Sequence, residues 1–145
     1  MVLARVVRRN ERETVNMIIP EGFARVTPYL FAENAAAYMD HLIAALGGAD
    51  QGRTMRGDTL ANGIVRFDTA SVMISEAGRG FPPSSVSLYL YVGDADAAMA
   101  QALEHGMEKI MDVADMDYGD RQGGVKDKAG NIWWLSQRLE DRPYG

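Results

Sequence analysis

Apolar and polar residues alternate with two different periods along this chain, and the switches between them mark its elements. Residues 24–32 and 85–92 are dense in β-branched and aromatic side chains, which predicts strands. Each is followed by a short polar residue, Asn34 or Asp94, suited to capping the free N–H groups of a helix start. Ala35, Met39, Leu42, Ile43 and Leu46 then recur at helical spacing, and Gly47-Gly48 ends the run. A second stripe, Ala95, Met99, Ala102 and Leu103, stops at Gly106. Three further strands are predicted after each helix, at roughly 53–57, 61–68 and 71–76 and again at roughly 108–114, 121–127 and 131–137.

The two runs share one plan. Tyr29-Leu30-Phe31-Ala32-Glu33-Asn34-Ala35 is echoed by Tyr89-Leu90-Tyr91-Val92-Gly93-Asp94-Ala95, and Met39 by Met99. One step further apart, Gly63-Ile64-Val65-Arg66 aligns with Gly124-Val125-Lys126-Asp127, and Ser71-Val72-Met73-Ile74-Ser75 with Ile132-Trp133-Trp134-Leu135-Ser136. A near-constant offset is the mark of a duplicated supersecondary unit. The predicted fold class is therefore α+β, with tandem βαβββ units forming a curled mixed sheet around a cleft. The first unit is 24–76 and the second 85–138, within a single domain over 23–138. A Gly/Pro-rich linker covers 77–84, an extension 1–22 and a tail 139–145. Gly78-Arg79-Gly80 offers a weak anion cradle, since no helix follows it directly.

Composition removes several functions. The 145 residues include 47% hydrophobic and 24% charged side chains, enough for a real core. A net charge of −5 without a basic stripe argues against nucleic acid. The absence of cysteine excludes disulfides and thiolate zinc sites and fits a cytoplasmic home. No apolar run is long enough to span a membrane. Met1–Arg9, with Arg8 and Arg9 after its apolar patch, lacks the order of a secretory signal. The extension is expected either to pair with a sheet edge or to remain mobile.

Three patterns carry a family resemblance: Val26-Thr27-Pro28-Tyr29-Leu30, the stretch Val86–Ala97, and Tyr118–Asp127 continued by Gly130-Asn131-Ile132-Trp133. With the tandem units, they resemble the vicinal-oxygen-chelate superfamily, in its glyoxalase/bleomycin-resistance branch. The resemblance implies a sheet in each half that curls around half of a cavity. Metal-dependent members hold an ion with one His on the first strand and one carboxylate on the last strand of each half. Those positions here are Thr27, Ser87, Met73 and Trp134. None is an imidazole or carboxylate, so no metal or other cofactor is expected. His41 and His105 fall on predicted helices; His105 reads as a surface residue at a helix end, and His41, opposite the apolar stripe, as a surface or interface residue. The resemblance also implies a homodimer with the pocket at the subunit interface.

Side chains alternate along a strand, so if Ser87 faces the cleft, Tyr89 and Tyr91 do too. The same parity places Thr27, Tyr29 and Phe31, Ser71, Met73 and Ser75, and Ile132, Trp134 and Ser136 inward. Arg66 falls at the cleft rim, and Glu33 reads as a solvated charge. Arg121, near Tyr118, has the paired donors to grip an anion, with Asp120 to orient it, or else the two brace a loop. The candidate ligand-binding set is thus Thr27, Tyr29, Met73, Ser87, Tyr89, Tyr91, Tyr118, Arg121 and Trp134. An aromatic and thioether lining with a few hydroxyls suits a small organic ligand, though the same face can be filled by packing. No serine has an inward histidine to activate it, so catalytic residues are not assigned. The leading expectation is a metal-independent small-molecule binding protein. A glyoxalase-like lyase or isomerase is the alternative, and a structural module with a filled cleft is a third.

Overall fold

A computed structural model of the chain describes residues 4–7 and 17–145. β1 (Ala4–Val7) and β2 (Met17–Pro20) pair antiparallel as a small sheet of their own. Among the described residues, the extension thus pairs with itself and not with the edge of a larger sheet. Arg8 and Arg9 lie outside the described residues.

Two βαβββ units follow. The first is β3 (Tyr29–Ala32), α1 (Ala35–Leu46), β4 (Ala49–Arg56), β5 (Thr59–Phe67) and β6 (Ala70–Glu76). The second is β7 (Ser87–Tyr91), α2 (Ala95–Glu104), β8 (Glu108–Asp115), β9 (Asp120–Lys126) and β10 (Ile132–Arg138). Each unit closes its own four-stranded mixed sheet, in the orders β3-β6-β5-β4 and β7-β10-β9-β8. In each, the strand before the helix lies parallel to the last strand, and the remaining pairs are antiparallel. Among the described residues, no helix is long and apolar enough to cross a membrane.

The register corrects one alignment of the repeat. Leu135 pairs with Gly123 as Ile74 pairs with Gly63, and Trp134 with Gly124 as Met73 with Ile64. Gly63 therefore corresponds to Gly123, not Gly124, and the offset widens by one only in the turn before the last strand. The first strand is also shorter than expected. It starts at Tyr29, because Pro28 has no N–H to give a ladder, and the Thr27 hydroxyl closes a turn onto the Ala24 carbonyl at 3.0 Å.

The two helices start differently. Asp94 caps α2, accepting from the Ala97 N–H at 3.0 Å. Asn34 makes no side-chain cap, since its backbone is left-handed (φ 55°). The Glu76 carboxylate, arriving at the end of β6, takes the N–H groups of Asn34 and Ala35 instead, at 2.8 and 3.0 Å. The helix start is thus tied to a residue 42 positions beyond Asn34, a partner no local pattern reveals.

One core serves both units. Leu30, Val72 and Ile74 from the first sheet, Trp133 and Leu135 from the second, and Met39, Leu42 and Met99 from the helices form a single buried cluster. Phe67 meets Trp133 across the halves, with ring centroids 5.8 Å apart. His41 belongs to this junction, which decides between the surface and interface places its position opposite the stripe left open. It is 5% exposed, and its Nε2 accepts from the Lys128 N–H at 3.3 Å. Burial, followed by the nearby Lys128 charge, lowers its pKa.

Candidate functional site

Because the helix sides of both sheets share the core, their other faces look outward. The parity expected from the sequence holds there: Leu30, Ala32, Trp133 and Leu135 are buried, whereas Tyr29, Tyr89 and Tyr91 are exposed. The four positions aligned with metal ligands do not meet within one chain. Thr27 and Met73 line a hollow under β2, with Met17–Pro20 and Phe23. Trp134 lines another, with Tyr89, Met111, Tyr118 and Gln122. Nor do these side chains suit an ion. The Trp134 Nε1–H donates to Ser87 Oγ at 2.7 Å, the Thr27 hydroxyl is spent on a carbonyl, and Met73 offers only a soft thioether.

The second face is the better organised. Tyr89 and Tyr91 stack at 5.3 Å with 20° between their planes. Trp134 lies across β9 at Gly124, where a Cβ would come within 2.7 Å of the indole, so only glycine admits the ring at that place. Beside these rings sits Asp120, fully buried at the start of β9. Its Oδ2 accepts from Tyr89 (2.8 Å), Ser136 (2.8 Å) and Tyr144 (2.7 Å), and its Oδ1 from Arg138 at 2.9 Å. Burial pushes this carboxyl upward, but the hydrogen bonds from Arg138, Tyr144, Ser136 and Tyr89 together outweigh it and hold the pKa at about 2. Tyr118 donates to Gln122 Oε1 and gives its own carbonyl to Arg138 at 2.6 Å.

Arg121 does not join this set. Neighbouring strand residues point to opposite faces, and its guanidinium turns to Asp96 (2.8 Å) on α2 and Asp115 (2.9 Å) on β8. Asp120 therefore does not orient Arg121. The arginine on the outward face is Arg138, which parity with Trp134 and Ser136 already places there. Tyr144, from the tail, had no such signal. On the first face Tyr29 stacks on Phe31 at 5.0 Å, and its hydroxyl lies 2.6 Å from Ser75 Oγ. Arg66 binds the Asp68 carbonyl at 2.7 Å, on the side of Glu21 and Gly22.

The end of the third sequence pattern, Asp127 with Asn131 and Trp133, is a brace and not a site. Asp127 is buried and accepts from the N–H groups of Ala129 and Asn131, from Tyr38 Oη (2.6 Å) on α1 and from Trp133 Nε1 (2.8 Å). Asn131 completes it by accepting from the Val86 N–H at 2.9 Å. This network ties the second unit to the first.

Solved structures share this architecture. TioX from Micromonospora sp. ML1 superposes with a TM-score of 0.69 at 19% identity, over 80% of this chain and 99% of its own. A glyoxalase/bleomycin resistance protein/dioxygenase from Nocardioides gives a TM-score of 0.58 at 16% identity, over 84% of this chain and 89% of its own. The chain has the vicinal-oxygen-chelate fold. TnmS3, an antibiotic binding protein from Streptomyces sp. CB03234, shares that fold with a TM-score of 0.61 at 19% identity, over 79% of this chain and 97% of its own. Among sequences, the uncharacterised Mb0911c of Mycobacterium bovis is 28% identical over 128 residues, which is 80% of this chain and 84% of that protein. No protein-family model matches the chain.

Proposed function

We propose that this protein binds a small organic ligand without a metal, on the aromatic wall made by Tyr89, Tyr91, Tyr118 and Trp134. One observation carries the reading. Tyr89, Tyr91 and Tyr118 are 41%, 55% and 41% exposed, side by side, although hydrogen bonds already hold each in place. Positioned but uncovered aromatic surface is what a ligand or partner covers. The wall is open in a single chain, and a second copy supplying its own outward face would close it. The proposed assembly is therefore a homodimer with the pocket between subunits, and the cysteine-free sequence suits a cytoplasmic home for it. An antibiotic-binding protein of the same fold supports the class of function and not the ligand, since fold alone fixes neither. Tyr29, exposed on the first sheet's outward face, belongs to this reading as part of the opposite wall, whereas Thr27 and Met73 lie in their own hollow under β2.

The enzymatic alternative, a glyoxalase-like lyase or isomerase, has less support. Its base would have to be Asp120, and a carboxylate already accepting four hydrogen bonds, with a pKa of about 2, is a poor proton acceptor near neutrality.

The test is titration of purified protein with planar aromatic and cationic compounds, followed by tryptophan fluorescence. A saturable change that Trp134→Ala removes is the expected result. Silence of both tryptophans across the panel would sink the reading. Sedimentation of a stable monomer at high concentration would remove the dimer from it, and a stoichiometric transition metal in elemental analysis would favour the enzyme.

A further inference from the structure

The tail places one more aromatic ring on this wall. Arg138 Nη2 donates to the Arg142 carbonyl at 2.8 Å, which curls the last residues back over the sheet. Tyr144 then lies with its ring under the Arg138 guanidinium, 4.1 Å from Cζ to the centroid, and tilted against Tyr118 at 6.5 Å. Its hydroxyl donates to Asp120 Oδ2 at 2.7 Å, and so the Tyr91 hydroxyl, also 2.7 Å away, must be the donor to it. The chain's own phenol is thus met by an acceptor, a donor and a cation over its face.

We infer that Arg138, Asp120 and Tyr91 form a subsite for a neutral phenol, and that Tyr144 is a tethered occupant which a phenolic ligand displaces. This deepens the binding function proposed above and rests on it.

The energetics of exchange favour such a role. When Tyr144 leaves, Asp120 keeps Arg138, Ser136 and Tyr89, so the buried charge is not orphaned and one acceptor position opens. An incoming hydroxyl replaces the lost one donor for donor. The ring earns the same guanidinium contact, which strengthens as the ring becomes more electron-rich. A phenolate is excluded, because its charge would stand against the Asp120 carboxylate. The tail's own hydroxyl behaves accordingly: burial first, then the contacts with Tyr91 and Asp120, raise its pKa. Tyr144 is half exposed and takes no part in the buried core, so its removal disturbs no core packing.

The experiment compares wild type, Tyr144→Ala and Tyr144→Phe by calorimetric titration with p-cresol and with toluene at neutral pH. If the tail covers the subsite nine-tenths of the time, Tyr144→Ala binds p-cresol about tenfold more tightly than wild type. Tyr144→Phe, which keeps the ring and loses the hydroxyl, falls between them. Toluene, lacking the hydroxyl, binds Tyr144→Ala about fivefold more weakly than p-cresol. Equal p-cresol affinity in wild type and Tyr144→Ala overturns the tethered occupant, and toluene matching p-cresol overturns the phenol subsite. In either case, binding of other aromatics detected through Trp134 leaves the broader pocket standing. If no aromatic compound binds any of the three chains, the subsite and the pocket fall together.

Discussion

The two halves of the molecule repeat one backbone but finish their outward faces differently. Both place a tyrosine against a serine on the neighbouring strand, Tyr29 with Ser75 and Tyr89 with Ser136. In the first half that ladder ends on a neutral acceptor, the Ala61 carbonyl, 2.7 Å from Ser75 Oγ. In the second it ends on Asp120 and, through it, on Arg138. The repeat-equivalent positions in the first half are Leu60 and Ala77, so the ion pair belongs to one copy alone. The first face is instead covered partly by its own chain: Ser71 donates to the Gly22 carbonyl at 2.6 Å, and β2 roofs Met73. Duplication supplied two equivalent walls. Charge was added to one and chain to the other, which concentrates orienting polarity in the second half.

Substitutions sharpen that contrast, and the largest effect should come from the core both halves share. Trp133→Ala removes a buried ring that also donates to Asp127, and should cost about 4 kcal/mol in a urea melt. The adjacent Trp134→Ala strips the outward face and should cost about 1 kcal/mol or less while abolishing ligand-dependent fluorescence. Similar losses for the two would mean that Trp134 is a core residue. Next in size is Asp120→Asn, which breaks a buried ion pair and should lower stability by about 3 kcal/mol in the same melt. Its first-half counterpart test, Ser75→Ala, removes a neutral hydroxyl and should cost about 1 kcal/mol. If the two costs match, the ion pair adds nothing to the ladder.

The smallest expected effects are in pH. Asp120 is held at about 2 in the folded chain, below the usual 3.8, so the unfolded chain binds its proton first on acidification. Its contribution is present above about 4 and is lost as pH falls towards 2. Acid unfolding of Asp120→Asn should lack that component of the slope. The depressed His41 works in the same direction at higher pH: its contribution is present above about 6.5 and declines as pH falls through its lower folded value. His41→Gln should flatten the stability profile there, as thermal melts across pH 5–8 would reveal.

Strand parity and the internal repeat already separate the wall residues from the core. Tyr89, Tyr91 and Trp134 stand on the outward face because alternation in an extended chain is a local rule. The same rule, carried four residues past Trp134, reaches Arg138. Arg121 misled because its chemistry suits an anion while its parity, one step from Asp120, sends it to Asp96. His41 stayed undecided between surface and interface because helical periodicity measured only the stripe facing its own sheet, whereas the second unit buries another side of α1.

The linear pattern by itself determined two βαβββ units, their helices and the face each strand residue takes, since these follow from spacing within a few residues. Only the tertiary structure decided which charge meets which. Glu76 reaches the start of α1, Asp127 joins Tyr38 to Trp133, and Tyr144 returns to Asp120. Those pairings depend on distances closed by the whole chain, and hydrogen bonds that short reward a geometry that no local spacing encodes.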